Sequence, residues 1–260
     1  MCECVFVRLP THVWRVWVDP LHALDLGIYQ IIAASVLIEL VNEGMWAAAT
    51  ISERFLLAHK DHKRWCSARG LDPPPRFDHE RFKVKKKNPF PSFTQFMAKG
   101  AQTRQLILWL TECCLRPGLE NLNDHAKLRL AMMMNISIYE NIYNANWRVI
   151  PPADLERARV ATEKALVCLN ALSDAAIHSG NRLYHIIPKG HMVTHMSYDM
   201  AHQANPRSVT CYADEDMVGR MKRIVVKCHG ASAAKMALMR YLILVGLGLW
   251  STLASLRGLT

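Results

Sequence analysis

Between residues 94 and 180 apolar side chains recur at steps of three and four, and nothing in that span reads as a strand. The pattern is interrupted only by Arg116-Pro117-Gly118 and by Pro151-Pro152, and it ends at Gly180. Proline and glycine stop helices, so the spacing predicts three of them, over residues 101–115, 123–147 and 153–178. In the second, Met132, Met133, Met134, Ile136, Ile138, Tyr139 and Ile142 occupy several sides of the helix, which predicts a central, buried element. Cys113 and Cys114 are adjacent and cannot face one metal from a regular helix. A chain with this middle section is mainly α.

The flanks add a small α/β part. Residues 11–19 are rich in β-branched and aromatic side chains and stop at Asp19-Pro20, which predicts a strand. Leu21, Leu24, Ile28, Ile31, Ile32, Val36 and Leu40 then carry a helical stripe to about Val41. Asp19 thus stands at a strand-to-helix junction, where an acid serves either as a catalytic group on a rigid strand end or as an ordinary helix cap. A further helix is predicted over residues 45–68, ended by Gly70 and Asp72-Pro73-Pro74-Pro75. Residues 209–212 read as a short strand. The uncharged stretch 241–256, with Gly246 and Gly248, is shorter than the ~20 residues of a spanning helix and reads as a buried helix.

Charge points to a partner. The chain has 260 residues, 32 Lys and Arg against 22 Asp and Glu, and a formal charge of +10, which favours a polyanion such as nucleic acid. Residues 76–93 interleave Phe77, Phe82, Phe90 and Phe93 with Arg76, Arg81, Lys83, Lys85, Lys86 and Lys87. Such a stretch either binds phosphates and stacks on bases, or is a solvated loop pinned down by its rings. The eight cysteines lack the spacing of a secreted disulfide framework, so a reducing compartment is expected. The first residues have no basic region before their apolar run, so no secretory leader is expected.

Two further segments carry candidate chemistry. His191 and His195 stand four apart, on one helix face, but Met192 occupies the place of the metalloprotease glutamate. A structural zinc site drawing on His185, His191 and His195 with a cysteine is the metal reading of this segment. Asp214, Glu215 and Asp216 open a helix whose continuation is basic, with Arg220, Arg223 and Lys227 along one face. That pattern fits either a well-capped surface helix or acids holding a divalent cation beside a phosphate-following face.

Three blocks in order, residues 18–32, 187–196 and 212–222, resemble the DNA transposases of the CACTA (En/Spm) type. Asp19-Pro20-Leu21-His22 is similar to that family's Asp-x-x-His step entering a helix. Pro188, His191 and His195 match its Pro-x-x-His-x-x-x-His segment, and Tyr212, Glu215, Gly219 and Lys222 fall on its Tyr and Glu motif, with Asp214 and Asp216 replacing the flanking residues. The resemblance implies an RNase H-like core interrupted by a large helical insertion. Residues 1–44 would be the core strand and helix, 45–180 the insertion, and 181–260 a helical part returning to the core.

It also implies nuclear DNA as partner, no membrane, a homo-oligomer, and Mg²⁺ or Mn²⁺ held by Asp19, Glu215 and Asp216, with His22 beside them. Arg81, Lys83, Lys85, Lys86, Lys87, Arg220, Arg223 and Lys227 would contact DNA. Two metals about 3.5–4 Å apart would drive hydrolysis and strand transfer. Only eighteen residues precede Asp19, so the first catalytic Asp of such a core is expected to be missing and the chain inactive alone. Two other readings are a non-enzymatic basic helical nucleic-acid-binding protein, and a helical interaction domain with a structural zinc.

Overall fold

Prolines, caps and glycines place the helices where the spacing expects them. In the computed structural model, which describes residues 17–82, 90–94, 97–212, 222, 225–226 and 232–246, these are α1 Leu21–Asn42, α2 Ile51–Ser67, α3 His79–Phe82, α4 Gly100–Leu115, α5 Asp124–Ala145, α6 Pro152–His178 and α7 Lys189–His195. A second compact unit, Cys211–Thr260, contributes α8 Ala233–Gly246. No strand occurs among the described residues. Residues 11–16 of the expected N-terminal strand lie outside them, and Trp17 and Val18 are irregular backbone.

The expected strand at 209–212 is a correction. Pro206–Val209 forms a single 3₁₀ turn, started by Asn205, whose side chain accepts from the Arg207 amide. The helix expected from residue 45 begins instead at Ile51. Thr50 and Glu53 form a capping box there, each side chain accepting from the other's backbone N–H, and this sets the start. In α8, Leu242 and Ile243 are exposed, against the expectation of burial, and residues 247–256 lie outside the described set.

Within the first unit α1 is the central element. It is apolar on nearly every side, and by length and composition alone it would suffice to cross a membrane. Here Leu24, Tyr29, Ala33, Val36, Leu37 and Val41 are sealed inside the bundle, with α4, α2 and α7 packed around it. Burying each Leu or Ile contributes about 1.5–3 kcal/mol before entropy is counted. α5 and α6, joined by a short loop, form the most extensive helix pair and bury Met132, Met133, Ile136, Leu169 and Leu172. Met134, expected inside, is exposed.

The phenylalanines of the basic stretch settle into the core. Phe77, Phe82 and Phe93 are buried and join Phe55, His62 and Trp109, with ring centroids 5.3 Å apart for Phe55–Phe82 and 5.0 Å for Phe82–Phe93. Phe90 stacks on His185 at 3.8 Å. Phe77, Phe82 and Phe93 pin the segment to the body and are unavailable to bases, while residues 83–89 lie outside the described set. His62, buried among aromatic rings, is held neutral, its pKa lowered by burial to about 3.

Candidate functional site

The N-terminal turn of α1 and the whole of α7, which come from the first two motif segments, pack directly on each other. Asp19 begins α1: its carboxylate accepts from the amides of Leu21 at 3.3 Å and His22 at 3.1 Å, and its carbonyl from Ala23 at 3.0 Å. This is the geometry of a helix cap. The His22 ring folds back so that Nδ1 lies 2.5 Å from the same carboxylate.

Leu21–Ile28 winds as a π-helix, with a break in the helical dihedrals at Gly27, φ −123° and ψ −111°. The break needs a residue without Cβ, because a methyl there would sit 2.7 Å from the His22 carbonyl oxygen and 2.8 Å from Lys189 Cδ. Lys189, 163 positions from Leu26, donates its ammonium to the Leu26 carbonyl at 3.2 Å. Gly190 then passes close to Ile28. After α7 the chain forms a second π-helical stretch, Met196–Met200, and Met200 Sδ lies 3.0 Å from the Val18 amide. π-helical turns are rare and frequent at functional sites; the first described one lies inside the 18–32 segment and the second follows directly on the 187–196 segment.

On α7, His191 and His195 occupy successive turns with their Nε2 atoms 2.9 Å apart. Asp199 holds the other nitrogen of His195, Nδ1 to Oδ2 at 2.7 Å. A carboxylate at Nδ1 keeps the proton there and leaves the Nε2 lone pair free to bind. Both rings and the carboxylate are exposed to solvent. Two neutral imidazole nitrogens at this separation either share one proton or share one metal ion, and Zn–N bonds of about 2.0–2.1 Å would span them. His185 stacks on Phe90 instead, and the three histidines do not bring ligand atoms within 4.8 Å of one another.

Beneath this surface lies a buried ionic network. The Arg207 guanidinium donates to Asp25 at 2.7 and 3.3 Å and to Glu140 at 2.5 Å. Both carboxylate side chains are fully buried. Tyr29 donates to Glu140 at 2.5 Å and bonds the Tyr139 hydroxyl at 2.7 Å. Burial raises the Asp25 pKa above the usual carboxylate range, against the opposing pull of Arg207. Burial likewise lifts the hydroxyls of Tyr29 and Tyr139. Arg207 thereby ties the end of the first unit to α1 and α5. Asp199, Lys189, Asp25, Glu140 and Arg207 escape the sequence reading. Only the His195–Asp199 step of four residues leaves a trace there, as a helical i, i+4 pair.

A cleft of about 450 Å³ is lined by Glu39, Glu43, Phe55, His79, Phe82 and Arg182, among others. Its two acids are already matched: Arg129 bonds Glu39 at 2.9 Å and Glu43 at 2.7 Å, and His125 reaches Glu39 at 2.9 Å.

Of the three acids expected to hold Mg²⁺ or Mn²⁺, Asp19 is described and acts as a cap. Glu215 and Asp216 lie outside the described residues, as do Lys83, Lys85, Lys86, Lys87, Arg220, Arg223 and Lys227, while Arg81 belongs to α3. Comparison with protein-family models, curated proteins and solved structures finds no match.

Proposed function

We propose that the chain is the helical part of a CACTA-type transposase catalytic region and that it binds DNA. The observation that carries this reading is the packing of the two motif segments. Residues that lie 163 and 182 positions apart meet through two π-helical stretches, while the helices between them form the body of the first unit. An insertion whose two ends return to one place has this arrangement. The RNase H-like sheet and the carboxylates that would complete a Mg²⁺ or Mn²⁺ site belong to this proposal.

Charge supports the DNA partner. Beyond the formal +10, α2 turns Lys60, Lys63 and Arg64 outward on adjacent turns, exposed and without an ion-pair partner among the described residues. Its opposite face buries Phe55, Ala58, His62, Trp65 and Cys66. A cationic helix face of this kind follows a phosphate backbone. The test is fluorescence anisotropy with a labelled duplex across a salt series. Log K should fall with log[salt] with a slope of about −0.9 per phosphate neutralised, and Lys60→Gln/Lys63→Gln/Arg64→Gln should flatten it by roughly two to three. Absence of duplex binding at low salt would end the nucleic-acid reading.

The histidine pair supports a second reading, a protein that holds zinc through His191 and His195, with Asp199 orienting the latter. Calorimetric titration with Zn²⁺ should show one site, lost in His191→Ala and weakened about 10–100-fold in Asp199→Asn. Zinc binding unaffected by either change would remove the metal from this surface.

A further inference from the structure

Trp147 joins α5 to α6 with its side chain 81% exposed, followed by exposed Arg148 and by Val149 at 72%. An indole normally buries 150–250 Å² (roughly) and is among the costlier side chains to leave in water. Neither a ring nor a cation packs on Trp147 among the described residues.

The loop that carries it is nonetheless held rigidly. Fully buried Asn205 donates its side-chain amide to the carbonyls of Tyr143 at 2.7 Å and Asn146 at 2.5 Å, and its backbone N–H to Arg148 at 2.8 Å. Ile150 is buried just beyond, and Pro151 leads into α6. Three hydrogen bonds from one buried residue fix the loop, so its exposed side chains are presented in a set position. A preordered aromatic group loses little entropy on binding.

Charge around the loop selects its ligand. At the start of α6, Asp154 pairs with Arg157 at 3.0 Å and Glu156 with Arg159 at 2.6 Å, so these charges cancel. The exposed Arg148 side chain, next in sequence to Trp147, has no ion-pair partner among the described residues and adds a net cation to the loop. A flat π surface next to one free guanidinium matches a single unstacked nucleobase and the phosphate attached to it. Phe77, Phe82 and Phe93 of the basic stretch are buried and cannot serve this role.

We infer that the Trp147–Arg148 loop stacks an unpaired base of a single-stranded or gapped stretch of nucleic acid, with Arg148 on the flanking phosphate. This rests on the nucleic-acid reading above. The full chain is tested with fluorescein-labelled oligothymidylate and, in parallel, with a labelled duplex, using Trp147→Ala, Trp147→Phe and Arg148→Ala.

Trp147→Ala should bind the oligothymidylate on the order of tenfold more weakly, with duplex binding and melting temperature unchanged. Trp147→Phe should keep most of the affinity. Arg148→Ala should reduce the salt slope by about one. Wild-type oligothymidylate affinity in Trp147→Ala, with duplex binding intact, overturns this inference and leaves the nucleic-acid reading standing. No binding to either probe by the wild type overturns both. Loss of self-association of Trp147→Ala in sedimentation velocity, with unchanged oligothymidylate binding, assigns the loop to contact between copies and overturns the stacking role.

Discussion

Replacing Arg207 by alanine tests whether the buried network under the motif segments holds the first unit together. The side chain is 8% exposed and is the cation shared by two carboxylates that are wholly buried, Asp25 and Glu140. Its loss leaves those two charges facing each other in a poor dielectric, with Tyr29 the remaining donor to Glu140. Breaking a buried pair by removing one partner costs about 3–5 kcal/mol. For a folded unit of this size, that corresponds to a fall in Tm of roughly 6–20 °C.

The loss should depend on pH with a definite sign. The Asp25 carboxyl is already raised by burial and should rise further without Arg207. A raised folded pKa means stability that is present below the unfolded value and lost as pH rises through the folded one. The gap between wild type and Arg207→Ala should therefore be widest at the alkaline end of the range and narrow as pH falls. Urea unfolding followed by far-UV circular dichroism at several pH values measures it. A companion triple variant, Asp25→Asn/Glu140→Gln/Arg207→Met, removes all three charges and should recover much of the stability, since uncharged replacements of a buried ionic group are often neutral or better. A deficit under about 1 kcal/mol, or one that does not change with pH, would refute the reasoning.

Three further outcomes follow from particular contacts. Gly27→Ala should destabilise by about 1–3 kcal/mol in thermal melts, because its methyl meets the His22 carbonyl oxygen, and a neutral result would mean that the π-helical turn yields easily. Thr50→Ala should cost about 1 kcal/mol by urea titration through loss of the capping box at α2, with Thr50→Ser restoring most of it. His62 titrates near 3 when folded against 6.5 when unfolded, so between those values the unfolded chain binds more protons and stability falls as pH falls. His62→Leu should flatten that acid limb of the stability curve, and an unchanged limb would place the acid sensitivity elsewhere.

The sequence by itself determined the helices. Pro117-Gly118, Pro151-Pro152 and Gly180 mark stops, Asn123 marks a start, and the helices form at Gly100–Leu115, Asp124–Ala145 and Pro152–His178. These signals act within one turn of backbone, the range over which hydrogen bonding and sterics are legible from neighbours along the chain. The same local physics gives Asp19 its capping hydrogen bonds to Leu21 and His22.

Tertiary structure decided what those helices do. Alternation of Phe with Lys and Arg in residues 76–93 is equally consistent with base stacking and with anchoring. Burial of Phe77, Phe82 and Phe93 against Phe55 and Trp109 decides it, because the core under α2 and α4 has room for them and water does not favour their exposure. The join of Lys189 to Leu26, the tie of Arg207 to Asp25 across 182 positions, and the grip of Asn205 on the Trp147 loop have no local signature. Periodicity tells which face of a helix turns inward. It does not say which distant residue meets that face, and the candidate sites are made of those meetings.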